Sequence, residues 1–142
     1  MKDTTNVLSH NVWSATEYSG DFTGFSQGGG INLYSSNNYS QVGEHSLKLT
    51  NKASSAYRLR VYIPASKDDT VTVSFDLLNQ VSNFVALYNG GTSLVSTYPP
   101  VTGDWQSIVL SKKVTSTDDV FLQINCNAGQ DCFVDNFKCV IS

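Results

Sequence analysis

The sequence predicts an all-β protein, built as a two-sheet antiparallel β-sandwich. Three observations point there. Short runs of alternating apolar and polar residues recur along the chain at a spacing of roughly 8–12 residues. Helix signals are nearly absent, since no window of about eleven residues keeps an i, i+3, i+4, i+7 apolar pattern with a cap. The segments between the runs are rich in turn formers, among them Asn89-Gly90-Gly91 and Pro99 to Gly103. Alternation also means one buried and one wet face per strand, which antiparallel sheets allow.

The elements follow in order. The first 30 residues are irregular, with Trp13, Tyr18, Phe22 and Phe25 scattered through polar sequence. Residues 31–34 are a short candidate strand. Residues 45–50 set Leu47 and Leu49 on one face, and residues 56–63 set Tyr57, Leu59, Val61 and Ile63 against Arg58, Arg60 and Tyr62. Residues 70–78 align Val71, Val73, Phe75 and Leu77. Residues 83–89 oppose Val85 and Leu87 to Phe84, Ala86 and Tyr88, and residues 93–98 form a short strand. Residues 104–111 carry Ile108 and Leu110. Residues 119–126 oppose Val120, Leu122, Ile124 and Cys126 to Phe121, Gln123 and Asn125, and residues 132–141 close the chain. The expected core is Leu47, Leu59, Val61, Val73, Phe75, Leu87, Ile108, Leu110, Leu122, Ile124 and Phe137.

Composition bounds the function. At 142 residues the chain is expected to form a single domain over residues 1–142, long enough to bury a core without staples. Only 15% of residues are charged, and polarity comes instead from 19 Ser, 12 Thr and 12 Asn. That balance, low in charge and rich in neutral polar groups, suits an extracellular or cell-surface binding domain. Nine Lys and Arg against twelve acids, unclustered, argue against nucleic acid as a partner. No apolar run approaches the roughly 20 residues of a bilayer-spanning helix, so no membrane insertion is expected. A monomeric domain is the expectation. Cys126 and Cys132 flank the turn-like Asn127-Ala128-Gly129-Gln130-Asp131, which leaves two options: a disulfide across the turn, or two small buried hydrophobes. Cys139 falls to the core.

The motifs of the second half, taken in order, resemble the carbohydrate-binding modules of families four, nine and twenty-two. They are Val42-Gly43-Glu44-His45-Ser46-Leu47-Lys48-Leu49, Tyr57-Arg58-Leu59, Val71-Thr72-Val73-Ser74-Phe75-Asp76-Leu77, Gly103-Asp104-Trp105-Gln106 and Phe133-Val134-Asp135-Asn136-Phe137. Asn6-Val7-Leu8-Ser9 resembles the opening strand of those modules. Where the family often has an acidic residue after an aromatic, Trp13 is followed by Ser14, a departure from the family's pattern at its usual calcium site.

The resemblance implies jelly-roll topology, with residues 45–50, 70–78, 104–111 and 132–141 in one sheet. The other sheet then takes residues 56–63, 83–89, 93–98 and 119–126, and in such modules that second sheet is the concave one. Its solvent face would carry Arg58, Arg60, Tyr62, Phe84, Tyr88, Phe121, Gln123 and Asn125. Rings suit the C–H faces of sugars, and planar Arg, Gln and Asn groups suit their hydroxyls. The competing possibility is that the N-terminal segment covers these rings. The resemblance also gives Asp135 a structural Ca2+, held with main-chain carbonyls of the N-terminal region and a neighbouring strand. By parity with Phe133, Phe137 and Cys139 this carboxylate points inward, where it needs a cation or several hydrogen bonds; the alternative partner is backbone N–H.

No catalytic constellation appears. His10 and His45 lack metal or triad context, and Asp68-Asp69 and Asp118-Asp119 fall in turns. The expected function is therefore non-catalytic binding of a polysaccharide or oligosaccharide, as one domain of a larger exported protein. The alternative is a structural or adhesive β-sandwich of a cell-surface or phage-tail protein that binds protein.

Overall fold

The computed structural model describes residues 7–8, 25–27, 31–41, 43–52, 54, 57–79 and 83–142. Within them lie β1 (Phe25–Gln27), β2 (Ile31–Ser36), β3 (Ser46–Asn51), β4 (Tyr57–Ile63), β5 (Thr70–Asn79), β6 (Val85–Asn89), β7 (Thr92–Thr97), β8 (Gln106–Lys113), β9 (Val120–Cys126) and β10 (Asp131–Ile141). They form two five-stranded sheets, ordered β1-β4-β9-β6-β7 and β2-β3-β10-β5-β8. Every pairing is antiparallel. The fold is the expected jelly-roll sandwich, and the division of strands between sheets follows the expectation. Two strands join at the edges. β1 pairs with β4 (Phe25 opposite Val61), and β2 extends the 31–34 candidate alongside β3. Trp13, Tyr18 and Phe22 lie outside the described residues.

The core sits between the sheets. Every expected core residue is buried there, and Phe75 and Phe137 meet with ring centroids 5.6 Å apart. β5 shows why: its burial alternates without a break over ten residues, with Val71, Val73, Phe75 and Leu77 inward. β-branched and aromatic side chains favour such a half-buried pleat.

β10 departs from simple alternation. Its register against β5 shifts between Asp135 and Lys138, and Asn136 has φ 54°. This is a β-bulge, in which one extra residue reverses the facing of everything beyond it. Cys132 and Val134 point into the core before the bulge, and Phe137, Cys139 and Ile141 after it. Phe133 and Asp135 therefore share the outer face rather than the core, which corrects their expected inward direction. Phe133 stands opposite Lys48, whose ammonium lies 5.8 Å from its ring centroid. Asp135 is nonetheless 1% exposed.

All three cysteines are free thiols, and all are buried. Cys126 and Cys132 are not bridged here, although their side chains hydrogen-bond to each other across the 127–130 turn. That contact lowers the Cys126 thiol below its ordinary value and raises that of Cys132. Burial pushes the Cys139 thiol up to about 11, so it stays protonated and inert near neutral pH.

The bulge sets a test. A left-handed backbone costs an ordinary L-residue about 1–2 kcal/mol, with Asn and Gly tolerated. Asn136→Gly is expected to leave the urea midpoint nearly unchanged, whereas Asn136→Val should lose about 1–3 kcal/mol. Equal effects from the two substitutions would contradict the bulge.

Candidate functional site

The outer face of the first sheet is organised in rows that run across the strands. β9 lies between β4 and β6, so its outward residues each have a partner on both sides. In the first row Tyr62, Phe121 and Tyr88 stand opposite one another. Their ring centroids are spaced 5.4 Å and 5.3 Å, and Tyr88 stacks on Phe121 with an interplanar angle of 11°. In the second row Arg60, Gln123, Ala86 and Ser96 are aligned. The third holds Arg58 opposite Asn125, whose backbone N–H donates to the Phe84 carbonyl. Phe84 in turn contacts the Tyr88 ring at 6.4 Å and the Tyr98 ring at 5.2 Å.

Polar groups on this face are tied together. Arg60 Nε donates to Gln123 Oε1 at 3.2 Å, and Gln123 Nε2 donates to Asn125 Oδ1 at 3.0 Å. The Arg60 guanidinium also sits 4.5 Å from the Phe121 ring centroid, a cation–π contact. Asn83 Nδ2 donates to the Asn125 carbonyl from below the loop that precedes β6. All eight residues expected at the site thus lie on one sheet face.

Their exposures differ from a simple solvent face. Tyr62 and Arg58 are exposed; Arg60, Phe84, Tyr88 and Asn125 are half-buried. Phe121 and Gln123 are only 5% and 7% exposed, which corrects their expected solvent exposure. Phe121 is covered by Tyr62, Tyr88 and Arg60, and Gln123 is held between Arg60 and Asn125. They form the floor of the site, while Tyr62, Tyr88 and Tyr98 offer rings above it. Tyr98, 68% exposed, was missing from the expected set. Its signal was its position at the end of the expected 93–98 strand, before Pro99-Pro100. β1 extends this sheet at its edge; the remaining N-terminal segment, whose cover of the rings was the competing expectation, lies outside the described residues.

One end of the first row opens on a cavity of about 350 Å³ lined by Tyr62, Pro64, Thr117, Asp118 and Asp119. Its wall is fixed by Asn89, whose Oδ1 accepts the Thr115 and Ser116 N–H groups and whose Nδ2 donates to the Asp118 carbonyl. Gly90 (φ 60°) lets the 115–119 loop close, since a Cβ there would lie 2.9 Å from Asp118 Cβ. A larger cavity, about 540 Å³, lies against the other sheet, where Tyr39, Leu78, Val101 and Phe133 line it. Its one buried amide is already engaged: Asn79 Nδ2 donates to the Pro99 carbonyl at 3.4 Å, and Asn79 Oδ1 accepts from Gln106. Gln130 also lines that cavity, but the cavity lacks the row of rings beside two arginines that makes the first sheet's face the stronger site.

Asp135 takes one N–H on each oxygen, from Gln41 to Oδ2 at 2.9 Å and from Asn136 to Oδ1 at 2.8 Å. Asp76 stands directly across the strand pair on the same face, where Asn136 Nδ2 donates to its Oδ2 at 3.5 Å. Two facing carboxylates repel unless a donor or a cation lies between them. The main-chain carbonyls expected from the N-terminal region lie outside the described residues. Among the described residues no group of three or more His, Cys, Asp or Glu gathers.

No sequence-family model matches the chain, and no curated protein resembles it in sequence. Solved structures do. The enzymatically active domain of tailspike protein 4 from bacteriophage CBA120 superposes with a TM-score of 0.76 at 12% identity, covering 97% of this chain and 22% of that one. A family-22 xylan-binding module from Paenibacillus barcinonensis superposes at 0.72 with 15% identity, over 99% of this chain and 97% of its own. A family-61 carbohydrate-binding module in complex with β-1,4-galactotriose gives 0.63 at 21% identity, over 94% and 97%. The chain therefore spans about a fifth of the tailspike structure and nearly all of these two modules. At such identities the likeness establishes a shared β-sandwich fold.

Floor and rim residues should behave differently on truncation. Phe121→Ala is expected to cost about 3–5 kcal/mol of stability, as for buried rings generally. Tyr98→Ala, which loses an exposed ring and one contact with Phe84, should cost no more than about 1 kcal/mol. Denaturant titration of both variants measures the difference.

Proposed function

We propose that this chain is a non-catalytic carbohydrate-binding module, one domain of a larger exported protein. The observation that carries the proposal is the outer face of the first sheet. Rings at Tyr62, Tyr88 and Tyr98 stand beside the hydrogen-bonded Arg60–Gln123–Asn125 chain. A sugar stacks its C–H face on a ring and presents hydroxyls at the rim, which planar donors and acceptors meet in pairs. Support comes also from the shared fold, since the neighbours include modules whose names specify xylan or galactotriose as ligand. The described residues of this face offer no glycosidase pair: Asp118 and Asp119, beyond Tyr62, are adjacent in one loop rather than on opposite sides of a cleft.

A second reading has its own observation. The tailspike likeness suits a structural domain of a phage-tail or adhesive protein that binds protein. A glycan array with the chain separates the two readings. Each ring that stacks on a sugar buries on the order of 50 Å² of apolar area, worth about 1 kcal/mol at ~25 cal/mol per Å². Tyr62→Ala and Tyr98→Ala should therefore each weaken binding to an array hit about fivefold, read by calorimetry. Binding that survives both substitutions would move the site to the Tyr39–Phe133 cavity.

We propose too that Asp135 and Asp76 hold a structural calcium. A ligand bound only to the folded state stabilises it by mass action. Chelator should lower the melting temperature by about 5 °C or more, added calcium should restore it, and Asp135→Asn should abolish the response. A melting curve indifferent to chelator, on protein shown to start loaded, rejects the ion and leaves the two N–H bonds as the anchor of Asp135.

A further inference from the structure

The chain carries twelve acids and nine Lys and Arg, yet the candidate binding face reverses that balance. Its described outward residues are Arg58, Arg60 and Tyr62 on β4, Phe121, Gln123 and Asn125 on β9, and neutral groups on β6 and β7. Among these described residues two arginines face outward and no carboxylate does. Arg58 and Arg60 lie two residues apart on one strand, hence about 7 Å apart along it.

Neither guanidinium has a carboxylate partner among the described residues, whose ion pairs join Lys48 to Asp131 and Lys113 to Asp68. Arg60 is held in place by Gln123 and by the Phe121 ring, a use of Nε that leaves its four terminal N–H donors without a partner among the described residues. Arg58 is exposed beside Asn125. The acids of this region, Asp118 and Asp119, sit at the opposite end, beyond Tyr62. Charge is therefore graded along the strands: carboxylates, then the ring row, then Arg60, then Arg58.

We infer that the glycan taken by this face is acidic, an oligosaccharide with uronic-acid carboxylates, whose charged groups meet Arg60 and Arg58 while its neutral sugars stack on the rings. The inference rests on the carbohydrate-binding reading and narrows it. A guanidinium is a planar fork that meets a carboxylate with two parallel N–H bonds, and such charge-assisted pairs exceed neutral ones in strength. A neutral sugar needs no cation, and among the described residues no packing contact or ion pair accounts for Arg58 on this face. The Asp118–Asp119 end repels the same carboxylates, which fixes the direction in which the ligand lies.

The test pairs each uronic-acid oligosaccharide (galacturonate, glucuronate and guluronate series) with its carboxyl-reduced form, which keeps linkage and ring shape but lacks charge. Xylohexaose and galactotriose serve as further neutral probes. Calorimetry is run on the intact chain at about 50 mM and about 500 mM salt, where screening differs strongly. An acidic member should bind at least about tenfold tighter than its reduced form, and the advantage should shrink severalfold at high salt. Arg58→Gln and Arg60→Gln should each bring the acid-to-neutral affinity ratio toward one, with melting temperatures recorded to confirm folding. If neutral probes bind and acidic ones bind no better, the inference fails and the carbohydrate-binding reading stands. If no member of the wider glycan array binds either, both fail. A ratio unchanged in a folded Arg58→Gln and Arg60→Gln pair overturns the role of the arginines.

Discussion

The structure depends on the double pairing of β9. A strand hydrogen-bonded on both sides cannot slip by one residue without breaking two ladders and turning its core face to water. β4 and β6 hold β9 in this way, in registers that place Leu122 opposite Val61 and Leu87. The same registers set Phe121 between Tyr62 and Tyr88, and Gln123 beside Arg60. The core and the candidate site are thus two faces of one constraint. Burial of Leu122 and Ile124 on one side fixes which rings and amides meet on the other.

This constraint explains what was legible in the sequence. In residues 119–126 the even positions are Val120, Leu122, Ile124 and Cys126, and the odd ones between them include Gln123 and Asn125, so a single alternation separates the faces. Residues 56–63 and 70–78 are equally clear. Parity therefore grouped the site residues correctly before any contact was known. It could say which face a residue occupies but not what covers it. Phe121 and Gln123 are buried because neighbouring strands supply Tyr62, Tyr88 and Arg60, a three-dimensional fact that no single run encodes.

β10 shows how the method fails. In Cys132-Phe133-Val134-Asp135 both parities hold apolar residues, and beyond them Phe137, Cys139 and Ile141 continue the odd set. The pattern fits an unbroken strand with Phe133 and Asp135 inward as well as it fits a bulged one. Only Asn136 hinted otherwise, because Asn tolerates a left-handed backbone. The cysteine turn is a different case. Spacing foresaw that Cys126 and Cys132 would approach each other, and they do, but approach leaves the bond itself to redox chemistry.

The arrangement of the site also bears on how tightly it could bind. Holding a flexible side chain for a ligand costs rotamer entropy, about 0.5–1.5 kcal/mol for each long polar group. Here much of that ordering is already made in the unliganded fold. Gln123 has both ends of its amide engaged, Arg60 is fixed by a hydrogen bond and by a ring face, and Phe121 cannot move without displacing Tyr62 or Tyr88. The cost of that order is reach. Groups bonded to one another have fewer donors left for a ligand, and a floor buried to this depth offers no ring face. New contact area must come from the rim, from Tyr62, Tyr88 and Tyr98, and new hydrogen bonds from the terminal N–H groups of Arg60 and from Arg58. A firm floor under a few exposed groups yields selectivity through position, with affinity limited by how few groups remain to touch.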